Sequence, residues 1–438
     1  MFQRKVFQNA KWIIGCKIIQ AALHFVVGML SARYLGPSNY GLISYAASIV
    51  SFAIPIMQLG MRSTLVQEII TDPDKEGEIL GTALVMNVVS SIACMIGVFS
   101  FAAIVNRGEK DTIIICAIYS VSLFFQAFEM IQYWFQAKFL SKYPSMAMLG
   151  AYFAVSAYKI YLLAAGKSVF WFALSYSIDF VIIDIALFLV YKKMGRQKFV
   201  FSASRVKSLF NRSKHYIVSS LMVTVFANTD HVMLKLMIGE IENGYYTAAV
   251  TTAGVANFVY AAIIDSFRPA ILSSKRENQT EFENNVSNLY GLIIYTALAQ
   301  GLVFTIGAGP IIKLLYGSEY LSAVPVLRIV VWYIVFSYLG TIRNVWILAE
   351  NKQRYLWMIN LSGALMNVVL NALLIPLCGA CGAAVASVIT QFFTNVIVGA
   401  IIKPIRYNNT LMRRGLNPGI FLEVFQKILL KRKKTQSK

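Results

Sequence analysis

Charge is what this chain has least of: Asp, Glu, Lys and Arg make up 14% of its 438 residues, against roughly 25% in a soluble domain. Compact soluble cores do not accommodate 58% apolar residues under so little polar cover. Acid is the scarcer sign, with 20 Asp and Glu against 40 Lys and Arg. In a soluble protein that excess of base would point to nucleic acid. In a membrane protein cytoplasmic loops retain Lys and Arg, so no nucleic-acid partner is expected. Histidine is nearly absent, at 3 residues, and no H-E-x-x-H zinc motif, Walker loop or G-x-S-x-G elbow occurs. No cofactor, metal site or catalytic residue is expected, and the chain does not read as an enzyme. Cysteine is sparse too. Only Cys378-Gly-Ala-Cys381 has a redox or metal spacing, and it lacks the second pair or histidines of a zinc site, which favours packing at a tight turn.

What is present in quantity is apolar length. A helix needs about 20 mostly apolar residues to cross the hydrocarbon core. Twelve such stretches occur, with cores near 12–32, 40–60, 80–104, 112–135, 145–165, 169–191, 216–238, 245–267, 289–312, 322–348, 355–376 and 380–402. The pattern predicts an all-α polytopic membrane protein. Its two long polar stretches are Tyr191 to His215 and the tail from Lys403 to Lys438. With both termini cytoplasmic, about 30 of the 40 bases fall inside, about five outside and about five within spans. Lys192, Lys193, Arg196, Lys198, Arg205, Lys207, Arg212 and Lys214, and the tail run Lys431 to Lys434, supply much of the inside count. Topology retention and attraction to anionic membrane lipid explain both clusters. Arg4 and Lys5 ahead of an apolar run resemble a signal peptide. Lys17 and His24 interrupt that run and no small-x-small site follows, so an uncleaved first helix is expected.

The halves share a plan. Arg33-Tyr-Leu-Gly36-Pro-Ser-Asn-Tyr-Gly41 precedes Ser44, Ala46 and Ala47, and Lys235-Leu-Met-Ile-Gly239-Glu-Ile-Glu-Asn-Gly244 precedes Thr247, Ala248 and Ala249, at an offset of 203 residues. Glycine-bounded turns are common between helices, so duplication and coincidence both stay open. Duplication gives a six-helix lobe at 1–200, a second at 201–403 and a basic cytoplasmic tail at 404–438. Six spans per half make the repeat parallel, two lobes facing each other across a central cavity, which suits alternating access and points to a transporter.

Polar residues in hydrocarbon face protein or water, so their helical phase marks the surfaces that avoid lipid. Four stripes follow: Lys17, Gln20, His24, Gly28 and Ser31; Ser44, Ser48, Ser51, Pro55, Gln58 and Arg62; Ser220, Thr224, Asn228, His231 and Lys235, with Asp230 just off it; and Thr251, Asn257, Tyr260, Asp265 and Arg268. Two readings compete. Small and hydroxylated residues also form helix-packing surfaces, and Lys17, Lys235 and Arg268 lie close enough to a membrane face to snorkel. Asp230 and His24 are deeper and need a cavity or a partner. Glu129, Lys159, Asp179, Asp184, Arg328 and Arg343 also fall within spans. Asp179 and Asp184 are about 140° apart around their helix, too far for one shared metal. Arg328, after Pro325, suits either a substrate phosphate or an interfacial structural role.

Ala32-Arg-Tyr-Leu-Gly-Pro-Ser-Asn-Tyr-Gly41, Leu314-Leu-Tyr-Gly-Ser-Glu-Tyr320 running into Val326-Leu-Arg328, and Asn367-Val-Val-Leu-Asn371 with Ile375-Pro376 and Gly382-Ala-Ala384 resemble the polysaccharide (O-antigen type) flippases of the multidrug/oligosaccharidyl-lipid/polysaccharide (MOP) superfamily. The resemblance runs from about residue 10 to 403 and departs at Cys378 and Cys381. It implies a V-shaped pair of lobes that moves an undecaprenyl-pyrophosphate-linked glycan to the outer leaflet of the cytoplasmic membrane. It also implies coupling to an H+ or Na+ gradient, a cavity lined by spans one, two, seven and eight, and polysaccharide polymerase and glycosyltransferases as partners. The candidate substrate residues are Lys17, Gln20, His24, Arg62, Thr224, Asn228, Asn257, Arg268 and Arg328. Asp230 and Asp265 are the candidates for ion coupling. The rivals are a multidrug or cation antiporter, which needs an acidic, aromatic cavity, and a flippase for another lipid-linked precursor. A polymerase would need a large outer loop.

Overall fold

The protein is described here from a computed structural model that covers residues 2–195 and 197–422, with side chains from residue 15 onward. Its order is α1 (Phe2–Met57), α2 (Met61–Thr71), α3 (Glu76–Val105), α4 (Lys110–Gln126), α5 (Ile131–Ala137), α6 (Lys142–Ala164), α7 (Val169–Met194), α8 (Ala203–Met237), α9 (Glu240–Ala253), α10 (Asn257–Glu277), α11 (Gln279–Tyr316), α12 (Ala323–Ala349), α13 (Leu356–Phe392), α14 (Val398–Ile401) and α15 (Arg406–Gly415). Among the described residues there is no strand, and ten helical stretches are long and apolar enough to cross a membrane. Two of these, Gly15–Thr71 and Gln353–Ile401, contain sharp breaks. Gly36 at φ 72° and Gly379 at φ 55° sit where the sequence placed turns between spans. Both conformations favour a residue without Cβ, and Pro37 restarts the helix with its fixed φ. No disulfide links Cys378 and Cys381, which flank the second break.

The apolar exterior is that of a polytopic membrane protein. Ile96 on α3, Ile306 on α11 and Leu377 on α13 are 62%, 79% and 76% exposed, a cost in water that vanishes against lipid chains.

By packing, the chain forms two compact units, residues 1–244 and 245–438. The sequence repeat separated 1–200 from 201–403. The packing boundary falls one helix later, because α8 lies along α1 and also touches α2 and α3. The first unit has one core around Tyr45, Val50, Met57 and Leu123 and another around Met61, Leu65, Trp134 and Leu187. In the second unit Phe282, Tyr290, Tyr316, Tyr320 and Trp346 are fully buried.

The two long polar stretches contain structure. Within Tyr191 to His215, α8 begins at Ala203. Arg205 there pairs with Asp72 at 2.9 Å and Glu78 at 3.1 Å, and Arg212 pairs with Glu68, so the cluster also ties α8 to α2 and α3. The start of the tail packs on the second unit. Asn408, Asn409, Leu411 and Met412 of α15 are buried, Asn408 Nδ2 donates to Tyr290 OH of α11 at 2.9 Å, and Tyr295 OH donates to Leu416 O at 2.6 Å. The run Lys431 to Lys434 lies outside the described residues.

Candidate functional site

Beyond Gly36, α1 runs antiparallel to α8, and these helices carry two of the four polar stripes. At the Gly36 end the stripes close on each other. A Cβ placed on Gly41 would lie 1.9 Å from Glu240 O, and one placed on Gly244 would lie 2.0 Å from Pro37 O. Residue 41 corresponds to 244 and residue 37 to 240 under the 203-residue offset, so the contact is reciprocal. Each motif meets the other at the equivalent position, the arrangement a local two-fold relation would give.

Polar bonds surround the crossing. Asn243, fully buried, donates from Nδ2 to Gly41 O at 2.7 Å, and its Oδ1 lies 2.9 Å from His231 Nδ1. Ser44 Oγ lies 3.2 Å from the same ring nitrogen, and Ser38 Oγ donates to Glu240 at 3.4 Å. Lys235 does not snorkel: it is 5% exposed, donates to Asn106 Oδ1 at 3.0 Å, and pairs with Glu109. The ammonium also lies 5.4 Å from the centre of the Tyr45 ring. This buried base, with its acid and amide partners, forms a clasp between α8, α1 and the turn before α4.

Hydrogen bonding from Lys235, then from Thr112, holds the Glu109 carboxyl below the usual carboxylate range. A depressed carboxylate stabilises the fold above its unfolded pKa and loses that contribution as pH falls through the folded value. Wild-type thermal stability should therefore fall on acidification below about pH 4, and the fall should be shallower in Glu109→Gln. Parallel melting curves for the two proteins between pH 6 and 3.5 would remove the clasp's acid from this account.

Near Gly60 the chain again approaches α8, where an added Cβ would lie 2.5 Å from Ser213 O, and between the two close approaches the stripes leave a space. Ser51, Pro55 and Gln58 of α1, Arg62 of α2, and Ser220, Thr224 and Asn228 of α8 line a cleft of about 530 Å³. Leu59 at φ 50° and Gly60 at φ 65° turn the chain sharply enough to bring Arg62 back to this space. Thr224 Oγ1 donates to Ser220 O and Asn228 Nδ2 to Thr224 O, each at 3.0 Å, which leaves the Asn228 carbonyl oxygen as an acceptor. Arg62 interacts electrostatically with buried Glu129, but makes no salt bridge among the described residues. A cation among hydroxyls and amides, with no acid on the lining, can hold a hydrated anion that bears hydroxyl groups.

Of the residues named from sequence, this cleft brings together Arg62, Thr224 and Asn228. Lys17 and His24 are exposed and Gln20 is half-buried on the earlier arm of α1; His24 meets Tyr152 of α6 edge-on at 6.5 Å. Asp230 is buried on α8 between the cleft and the clasp. In the second unit a 3-10 turn, Gly254–Ala256, interrupts the fourth stripe. There Asn257 accepts a hydrogen bond from Tyr338 OH, and Tyr260 stacks on the Tyr338 ring at 4.0 Å. Asp265 and Arg268 pair with each other at 3.1 Å, and Arg328 is exposed on α12.

Sequence reasoning missed the partners Tyr45, Asn106, Glu109 and Asn243. The available signal was an acid, Glu109, at a turn beside an unexplained base, Lys235. Glu129, Asp179 and Asp184, which the sequence places within spans, have charged neighbours in the structure: Glu129 acts on Asp184, and Lys159 on Asp179.

Comparison with known proteins agrees with this architecture. Residues 6–275 match the family model described as polysaccharide biosynthesis protein. The capsular polysaccharide biosynthesis protein CapF of Staphylococcus aureus is 20% identical over 391 residues, covering 88% of this chain and 96% of its own. A protein of Escherichia coli strain K12 named "Putative O-antigen transporter" is 22% identical over 396 residues, covering 87% and 91%. Among solved structures, the inward closed conformation of the lipid II flippase MurJ superposes with a TM-score of 0.72 at 13% identity, over 95% of this chain and 92% of that one. An inward-facing multidrug resistance MATE family transporter of the MOP superfamily gives 0.68 at 14% identity, over 90% and 96%. With more than half of its length matched by the family model and a fold shared with these transporters, the chain belongs to the polysaccharide biosynthesis protein family.

Proposed function

We propose that the protein is a flippase that carries an undecaprenyl-pyrophosphate-linked oligosaccharide from the inner to the outer leaflet of the cytoplasmic membrane by alternating access. In this reading twelve spans form two six-helix lobes, both termini are cytoplasmic, and an H+ or Na+ gradient drives the cycle. Glycosyltransferases supply the substrate and a polymerase consumes the product. The observation that carries the reading is the polar cleft between α1, α2 and α8, lined by Arg62 among hydroxyls and amides and set between close backbone approaches at Gly41 and Gly60. In this reading, which follows the distribution of Lys and Arg, the Gly60 end faces the cytoplasm, where the substrate is made. A pyrophosphate must shed water to enter the membrane, and a fixed guanidinium replaces part of that hydration. Hydroxyl and amide groups suit the sugars, while the polyprenyl chain stays in lipid. The relatives' names support a glycan precursor. A multidrug antiporter of the same fold would require acid at the binding surface, which the cleft lining lacks. For ion coupling Asp230 is the better placed of the two candidates, because it is buried, whereas Asp265 is exposed and paired with Arg268.

Two experiments test this. Reporter fusions after Arg107 and Lys167 should report outside, and fusions after Arg205 and Arg414 inside; an outside signal at Arg205 would reverse the map. Purified protein in vesicles should bring a lipid-linked glycan to the far leaflet faster under an imposed gradient, and Asp230→Asn should lose that acceleration while still binding donor. Transport of a cationic drug with no movement of the glycan would replace the flippase reading with the antiporter.

A further inference from the structure

A cleft of the second unit lies where α15 crosses the start of α11. It encloses about 730 Å³, and its walls include Asn284, Ser287 and Asn288 from α11 and Arg413, Arg414 and Asn417 from α15 and the turn after it. The crossing is tight. A Cβ on Gly415 would lie 2.7 Å from Tyr290 Cβ and 2.9 Å from Gly291 N, so the two helices meet backbone to backbone and the side chains around the contact form the walls.

Two features mark this cleft as a site. Ser287 is 3% exposed and its Oγ has no hydrogen-bond partner among the described residues, a deficit that a ligand oxygen would remove. The charge is also graded. Glu283 pairs with Arg414 at 3.0 Å, while exposed Arg413 has no salt bridge among the described residues. The cleft therefore presents about one uncompensated positive charge among amides and a hydroxyl. That balance matches a singly charged phosphodiester bearing hydroxyl groups better than a pyrophosphate. Ile420 lines the cleft, and Leu416 and Leu422, close to it in sequence, are 51% and 56% exposed.

We infer that this cleft binds the phosphodiester headgroup of an anionic phospholipid, with Arg413 on the phosphate, Ser287 and the asparagines on the headgroup hydroxyls, and the acyl chains passing Leu416 and Leu422. The leaflet assigned, the cytoplasmic one, rests on the orientation proposed above; the chemistry does not. The site gives a defined address to an attraction that the sequence attributed only to diffuse basic clusters.

The test uses full-length protein purified in detergent and exchanged into nanodiscs of phosphatidylcholine with one part in five phosphatidylglycerol. Lipid retained after delipidation is counted by native mass spectrometry. Wild type should keep phosphatidylglycerol in preference to phosphatidylcholine, Arg413→Gln should lower that preference about tenfold, and Lys167→Gln, exposed and outside both basic clusters, should leave it unchanged. Asn288→Leu serves as the second variant, so the test stands even if Arg413→Gln does not fold. Soluble glycerol phosphate at millimolar concentration should fail to displace the lipid. Unchanged retention in both cleft variants, an equal loss in Lys167→Gln, or ready displacement by glycerol phosphate would each overturn the lipid assignment. The readout is binding and not transport, so failure here and failure of the flippase reading are separate results.

Discussion

Gly41→Ala is expected to lower the melting temperature of the purified protein by about 5 °C and to reduce glycan transport by about tenfold or more. The cause is the 1.9 Å approach that a Cβ would make to Glu240 O. The obstructing atom belongs to the backbone, so no rotamer change can clear it, and overpacking of this kind costs about 1–3 kcal/mol. Gly244→Ala meets Pro37 O in the same way and should behave alike. The double variant should cost less than the sum, because once the motifs have separated the second methyl meets no obstacle. A cysteine at Ser44 should also become more reactive to a membrane-impermeant thiol reagent added outside, since the clasp that covers it is loosened. Wild-type melting and transport in either single variant would mean that the two motifs do not stay in contact in solution.

Arg62→Gln should reduce transport about tenfold with normal abundance. The side chain is exposed on the cleft wall, so its loss opens no cavity in the core. Lys at position 62 should recover part of the rate, because it keeps the charge but not the planar fork that grips two phosphate oxygens. Arg268→Gln should have the smaller effect, as Asp265 at 3.1 Å already shares its charge. Donor binding and far-leaflet appearance, measured separately in vesicles, distinguish the two. Equal rates for wild type and Arg62→Gln would remove the phosphate assignment from this residue.

The fold was legible in sequence wherever one local property decides it. Twenty apolar residues bounded by turns define a span, and the breaks at Gly36 and Gly379 fall where Gly and Pro punctuate the sequence. The first turns of α8 were not legible, because Arg205 and Arg212 are stabilised by Asp72, Glu78 and Glu68, acids more than a hundred residues away. The stripes located two polar helix faces but not what each part of a face does. Ser44, His231 and Lys235 take part in the clasp, whereas Ser51, Ser220, Thr224 and Asn228 line the cleft. Close backbone approaches at Gly41 and Gly60 bracket the cleft, and helical phase alone carries no information about where along a pair the backbones touch. Lys235 shows the same limit, since its burial depends on Glu109 and Asn106 from a turn outside its own helix.

The reciprocal glycine contact also bears on biogenesis. Motif 36–41 has no mate until residue 244 has left the ribosome, so the helices before α8 enter the membrane with one polar surface unmatched and acquire a closed edge only when α8 and its following turn arrive. A fragment ending near residue 200 should therefore be a target for membrane proteases, and one ending just past Gly244 should persist. Recombination between relatives faces the same boundary: a crossover at 200 asks a foreign α8 to fit the native Gly41, Asn106 and Glu109, whereas a crossover after 244 inherits the mated pair intact.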